Sequence, residues 1–188
     1  MAQSRTNVLL HGFFGRCGDI VVRRWGDRSV IQRRPTTRHR KWSKLQKANR
    51  MVFRDAMTYA RRVLKDPVVW DYYSKKRRRK QTVWNCAVAD FMLKPTIDMI
   101  DVREYEGKKG DAIVVVANDK YAVASVVVSI LDAQGLEAEK GKAVVDYTPG
   151  WTYMAKKKNR NWKECRVVVE VADVPGNIVS GFSMVEQT

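Results

Sequence analysis

Cationic side chains are the chemistry this sequence supplies in quantity. They gather as Arg23-Arg24, Arg33-Arg34, Arg38-His39-Arg40-Lys41 and the unbroken run Lys75-Lys76-Arg77-Arg78-Arg79-Lys80. Guanidinium and ammonium groups in such runs bind phosphate oxygens, and each contact releases condensed counterions from a nucleic acid. One or two cations at a helix end suit the negative end of its dipole. Six in succession cover every face of a helix and exceed that need. Arg23-Arg24-Trp25 and the stretch from Arg38 to Trp42 also interleave cations with aromatic rings. Single-strand binders do so where bases stack on the rings; packing of the two tryptophans against neighbouring elements is the competing reading. The candidate nucleic-acid-binding residues are therefore Arg23, Arg24, Arg33, Arg34, Arg38, Arg40, Lys41, Lys75, Lys76, Arg77, Arg78, Arg79 and Lys80.

Other reactive types are present without the spacing that makes a site. Asp98, Asp101, Glu104 and Glu106 form an acidic group, but general acid and base work needs a cleft and a matched partner. No G-x-S-x-G accompanies the serines. Cys17, Cys86 and Cys165 form no C-x-x-C pair, and His11 and His39 are the only histidines, so local motifs assemble no tetrahedral metal site. Asp119 and Asp173 could hold calcium between strand ends, although turn capping is the commoner use of Asp. No catalytic residue, cofactor or metal is expected, and the chain does not read as an enzyme.

The elements that must position the cations begin with a β-hairpin. Asp19 to Trp25 and Ser29 to Arg34 are β-rich runs around Gly26-Asp27-Arg28, a three-residue connection containing glycine. Gly12, Gly15 and Gly18, every third residue, suggest a tight or close-packed backbone upstream. A long helix is predicted over residues 43–64, with Leu45, Ala48, Val52, Ala56, Tyr59, Ala60 and Val63 on one stripe and Ser43 and Gln46 as a capping box. Asp66-Pro67 starts a second helix reaching about Arg78, with Val69, Trp70 and Tyr73 inward. A third runs from Thr82 to about Leu93, with Val83, Ala87, Val88 and Phe91 inward. Seven β-rich runs follow: 97–102, 112–117, 123–131, 142–147, 152–155, 166–171 and 178–184. Short strands at this density predict an antiparallel sandwich.

The 188 residues carry a formal net charge of +16, and its placement is uneven. Residues 1–94 hold 24 Lys+Arg against 6 Asp+Glu, a net of +18, whereas residues 95–188 hold 12 against 14. A general solubility charge has no reason to stay in one half, so a polyanionic partner for that half is expected. No run approaches the roughly 18 apolar residues of a membrane helix, and the polar start lacks a signal-peptide core. Cytoplasmic residence is expected, with a virion as the alternative, and no membrane partner.

Two resemblances bear on these halves. Val116-Ala117-Asn118-Asp119 leading into Val123 to Val128, and Val171-Ala172-Asp173-Val174-Pro175-Gly176-Asn177, resemble strand-and-turn phrases of bacterial immunoglobulin-like domains. That implies an immunoglobulin-like β-sandwich, without the antibody Cys…Trp…Cys core. Gly15, Gly18, Trp25, Arg33-Arg34-Pro35 and Gln46 resemble a set of uncharacterised bacterial and phage proteins, from which no function follows.

The fold class expected is α+β in two parts: a basic hairpin-and-helix module over 1–94 and an immunoglobulin-like sandwich over 95–188. The function expected is nonspecific binding of DNA or RNA, with the sandwich meeting an acidic protein partner or another copy. The alternative is a structural assembly protein, a virion or surface-layer component, that self-associates through the hairpin or the sandwich.

Overall fold

The computed structural model describes residues 2–4 (backbone), 13–26, 28–35, 41–146 and 150–185. The protein is α+β, with three helices and three antiparallel sheets, none closed into a barrel. Contacts divide it into two compact units, residues 1–43 and 44–188. The expected division at 94/95 groups the helices with the basic hairpin; contacts group them with the strands that follow.

The first unit is a four-stranded sheet rather than a lone hairpin. Its strands are β1 (Ala2–Ser4), β2 (Gly15–Cys17), β3 (Ile20–Trp25) and β4 (Arg28–Arg33), in the order β1-β4-β3-β2. Pairing continues to Trp25↔Arg28, so residues 26 and 27 alone connect β3 to β4, one fewer than expected. Gly26 lies at φ +60°, the left-handed region that glycine enters freely and two-residue hairpins require. Gly15 and Gly18 face open space, so close packing is not what they serve. Among the described side chains of this sheet only Val22 and Val30 are buried. Val22 pairs with Ile31 and Val30 with Arg23, which places the two valines on opposite faces.

The second unit opens with α1 (Lys44–Val63), α2 (Pro67–Lys76) and α3 (Val83–Met92). Asp66 Oδ1 accepts from the amides of Val68 and Val69 at the start of α2, and Thr82 Oγ1 from that of Asn85 at the start of α3; these are the caps the sequence predicts. The stripe on α1 is buried only at Ala56, Ala60 and Val63, while Leu45 and Val52 are exposed. Length accounts for this. At about 1.5 Å per residue, two ten-residue helices span half of a twenty-residue one, and α3 packs on its C-terminal half. Of the α2 residues expected inward, Tyr73 is fully buried whereas Trp70 is exposed.

Beyond the helices lie two four-stranded antiparallel sheets. One comprises β5 (Thr96–Asp101), β6 (Ala112–Asn118), β10 (Trp151–Met154) and β9 (Val144–Val145) in that order. The other comprises β12 (Ile178–Met184), β11 (Arg166–Asp173), β7 (Val123–Leu131) and β8 (Glu137–Lys142). Ile113, Val115 and Tyr153 of the first share one core with Val126, Val128, Ile130, Val167, Val169 and Val171 of the second. The expected 142–147 run contains β9, whereas β8 precedes it unforeseen, hidden by its charged sequence Glu-Ala-Glu-Lys-Gly-Lys. A second core joins the helices to the β-layers: Ala60, Val63, Tyr73, Val83, Cys86 and Ala87 close on Tyr121, in the turn between β6 and β7. Lys76 Nζ donates to the Tyr121 carbonyl at 3.1 Å, and Asn177 Nδ2 to the carbonyls of Phe91 and Leu93 at 3.2 Å. No described helix is long and apolar enough to cross a membrane.

Candidate nucleic-acid interface and a buried carboxylate cluster

Only the first two of the six cations, Lys75 and Lys76, lie in a helix end. Helix α2 stops at Lys76, Arg77 is extended at φ −64° and ψ 141°, and Lys80 takes φ +70°. Extended and left-handed residues turn the chain so that the cations fan out before Thr82 starts α3. Lys75 pairs with Asp71 one helical turn back, at 2.6 Å. Lys76 is held by the Tyr121 carbonyl and lies 5.9 Å from the Tyr72 ring centre. The charged groups of Arg77, Arg78, Arg79 and Lys80 are exposed and have no ion pair or hydrogen bond among the described residues. With Ser74, Gln81 and Thr82 they line a shallow concavity of about 510 Å³. Its rim includes Thr82, the N-cap of α3, and the positive dipole end there favours an anion.

The first unit separates the other predicted cations. Consecutive strand residues point to opposite faces, so Arg23 and Arg24 diverge. Arg24 lies opposite Ser29 at the turn end of β3, and Arg33 opposite Ile20 at the other end; they share a face and little else. Arg34, just past β4, is fixed by its amide on the Asp19 carbonyl at 2.7 Å. Lys41 is exposed. Arg38 and Arg40 lie outside the described residues. Trp25 and Trp42 are both exposed, Trp25 the more so.

A second cluster, two of its three members foreseen, lies where the helices meet the strand ends. Asp90 on α3, Asp119 after β6 and Asp173 at the end of β11 each offer a carboxylate oxygen, all within 4.8 Å of one another. Asp90 is wholly buried and Asp173 nearly so. Tyr73 donates its hydroxyl to Asp90 Oδ2 at 2.5 Å, and the Tyr59 and Tyr73 hydroxyl oxygens lie 2.9 Å apart. Asp119 Oδ1 accepts from the amides of Tyr121 and Ala122 at 2.7 and 3.1 Å. Asp173 Oδ1 accepts from Gly176 and Asn177, and its Oδ2 from Asn177 Nδ2 at 2.7 Å. That leaves Asp90 Oδ1 and Asp119 Oδ2 buried without a hydrogen-bond partner.

Electrostatics follow from this crowding. Burial pushes Asp90 up to about 7, against the Tyr73 hydrogen bond, with the Asp119 and Asp173 charges raising it further and Lys120 opposing them. Asp173 is raised too, chiefly by burial. Tyr72 is pushed up to about 12 by burial and then by Asp90 and Asp119. Asp90 is the member that sequence reasoning missed. Its signal was the helical step from Val83 through Ala87, which carries the inward face on to residue 90. The chain matches no family model, no curated protein and no solved structure.

Proposed function

We propose that the protein is a non-enzymatic nucleic-acid-binding protein that grips phosphates through the turn after α2. In this reading its two-layer β region is an immunoglobulin-like sandwich serving as an interaction domain. The observation that carries the reading is the fan of Arg77, Arg78, Arg79 and Lys80, exposed and without acidic partners among the described residues, beside the N-terminus of α3. An ordinary surface disperses or pairs its cations, as Lys75 and Asp71 do. The exposed ring of Trp25 is available for base stacking. Readout is of the backbone, since phosphate contacts carry no sequence information.

Filter or fluorescence binding to random-sequence DNA and RNA over a salt series tests this. On duplex DNA the logarithm of affinity is expected to fall with log salt at about −0.9 per phosphate contacted. Replacing Arg77, Arg78, Arg79 and Lys80 by Gln should flatten that slope by up to about 3–4 and weaken all sequences alike. Lys156, Lys157 and Lys158 in the near-neutral half serve as the matched control. An unchanged slope removes the turn from the interface.

One observation favours the assembly alternative. The first unit's sheet leaves Phe13, Phe14, Ile20 and Trp25 exposed while burying only two described side chains. Exposed apolar groups on a small sheet suit pairing with a neighbouring copy or an acidic subunit. Absence of nucleic-acid binding near 50 mM salt, together with concentration-dependent light scattering, is the result that selects it.

A further inference from the structure

We infer that Asp90, Asp119 and Asp173 form a binding site for a hard divalent cation, calcium by class. Three observations converge. The donors are all carboxylate oxygens, the set preferred by hard cations over transition metals. Their mutual separations stay within 4.8 Å; two oxygens bound to one calcium at about 2.4 Å are at most about 4.8 Å apart, so each pair is close enough to share an ion and a small closure brings all three onto it. The smaller magnesium, at about 2.1 Å, draws oxygens closer and keeps its waters.

The third observation points to a ligand rather than to a merely acidic patch. Asp90 is wholly buried, and its Oδ1 lacks a partner, as does Asp119 Oδ2. A buried orphan acceptor costs about 1–3 kcal/mol, more when charged. Here two of them share a pocket, and the third carboxylate adds like charge. Every other contact in the cluster already holds the carboxylates in place: Tyr73 on Asp90, the Tyr121 and Ala122 amides on Asp119, and Asn177 and Gly176 on Asp173. These groups occupy the outer lone pairs and orient the ligands, the arrangement expected of supporting contacts around a metal. Asp119 is only half-buried, which puts the cluster next to the surface of the turn between β6 and β7. A bound cation bridges α3 to the β6–β7 and β11–β12 turns and so clamps the helices onto the strand ends.

The experiment uses the intact chain, stripped with chelator and then titrated with calcium chloride while thermal unfolding is followed. The midpoint is expected to rise by about 5–10 °C when calcium exceeds its dissociation constant a hundredfold, with a smaller rise for magnesium at equal concentration. Terbium is the second probe. Its emission, excited through the Tyr73 ring at the site, should appear on binding and be displaced by calcium. Asp90→Asn keeps an acceptor for Tyr73 and is expected to abolish both responses without loss of fold. Asp119→Asn, which retains Oδ1 for its two amides, is the second variant and should weaken them at least tenfold. Absence of any calcium shift or displaceable terbium signal up to about 10 mM, well above the weakest extracellular calcium sites, overturns the proposal. So does a calcium shift that persists undiminished in Asp90→Asn. Stabilisation by acid alone, with no response to calcium, assigns the cluster to a shared proton and equally overturns it. None of these outcomes bears on the cationic turn, whose test is separate.

Discussion

Among the described residues two tyrosine–carboxylate pairs are buried, and they are built to different ends. In the β-layers, Tyr153 donates to Glu139 Oε1 at 2.6 Å, and the amides of Lys156 and Lys157 supply two further bonds to the same carboxylate. Beneath the helices, Tyr73 donates to Asp90 Oδ2 at 2.5 Å, yet Oδ1 is left without a partner and two more carboxylates stand beside it. Both carboxylates are buried. The first is a finished structural contact, in which one acceptor meets the donors of a strand and the loop that follows it. The second concentrates negative charge with unfilled acceptor capacity. Burial alone therefore does not mark a site; the balance of donors and acceptors around the buried group does.

The comparison breaks most visibly at Glu139. Glu139→Leu orphans the Tyr153 hydroxyl and two amides, and denaturant titration is expected to show a loss of about 2–4 kcal/mol. A smaller loss, about 1–3 kcal/mol, is expected for Gly141→Ala. Its Cβ would stand 2.6 Å from Tyr153 Cε2 and 2.8 Å from the hydroxyl oxygen, pushing the ring off Glu139 while leaving the carboxylate itself intact. Thermal unfolding of that variant, with the near-ultraviolet signal of Tyr153 as a local reporter, checks whether the two losses share one cause.

Asp90→Asn should move the other way. Without metal it removes buried like charge while keeping the Tyr73 bond, and a gain of about 1 kcal/mol is expected at pH 8. The sign depends on pH. Asp90 titrates near 7 when folded and near 3.9 when unfolded, so the folded protein holds its proton more tightly. Stability from this group is complete below about pH 4 and is lost as pH rises through about 7. The groups facing Asp90 are Tyr73, Tyr72, Tyr59, Asp119, Asp173 and Lys120, and the acids among them act in the same direction. Urea midpoints of the chelated wild type should therefore fall between pH 5 and 8, and those of Asp90→Asn should stay flat. A wild type that gains stability over that range contradicts the assigned crowding.

Regular patterns were legible in the sequence, and local exceptions were not. The 3.6-residue period gave α1 to within a residue at either end, and β7 and β12 fall on the expected bounds, each preceded by a turn signal, Asn118-Asp119 and Pro175-Gly176-Asn177. Strand β8 was hidden: Glu139 pairs with Ile130 across the ladder and faces the core, but a buried glutamate between charged neighbours reads as loop until its donors are known. Two of the three clustered carboxylates were legible, because Asp119 and Asp173 lie in turn phrases. Asp90 required knowledge of which helix face is covered, a tertiary fact. The cation clusters illustrate the converse. Adjacency in sequence grouped Arg23 with Arg24, and the pleat of β3 sends them to opposite faces.

The distribution of the cluster along the chain also orders the events of folding. Residues 90, 119 and 173 belong to three segments that become neighbours only when distant parts of the chain have closed. Helix pairing among α1, α2 and α3 is local and fast, whereas β7 meets β11 through partners such as Val128↔Val169, a long loop whose closure entropy must be met first. Repulsion among the three aspartates therefore has no hold on the helices or on the sheets while they form. It acts at the last step, when the helices settle on the strand ends, and an ion captured there is a latch on a finished molecule.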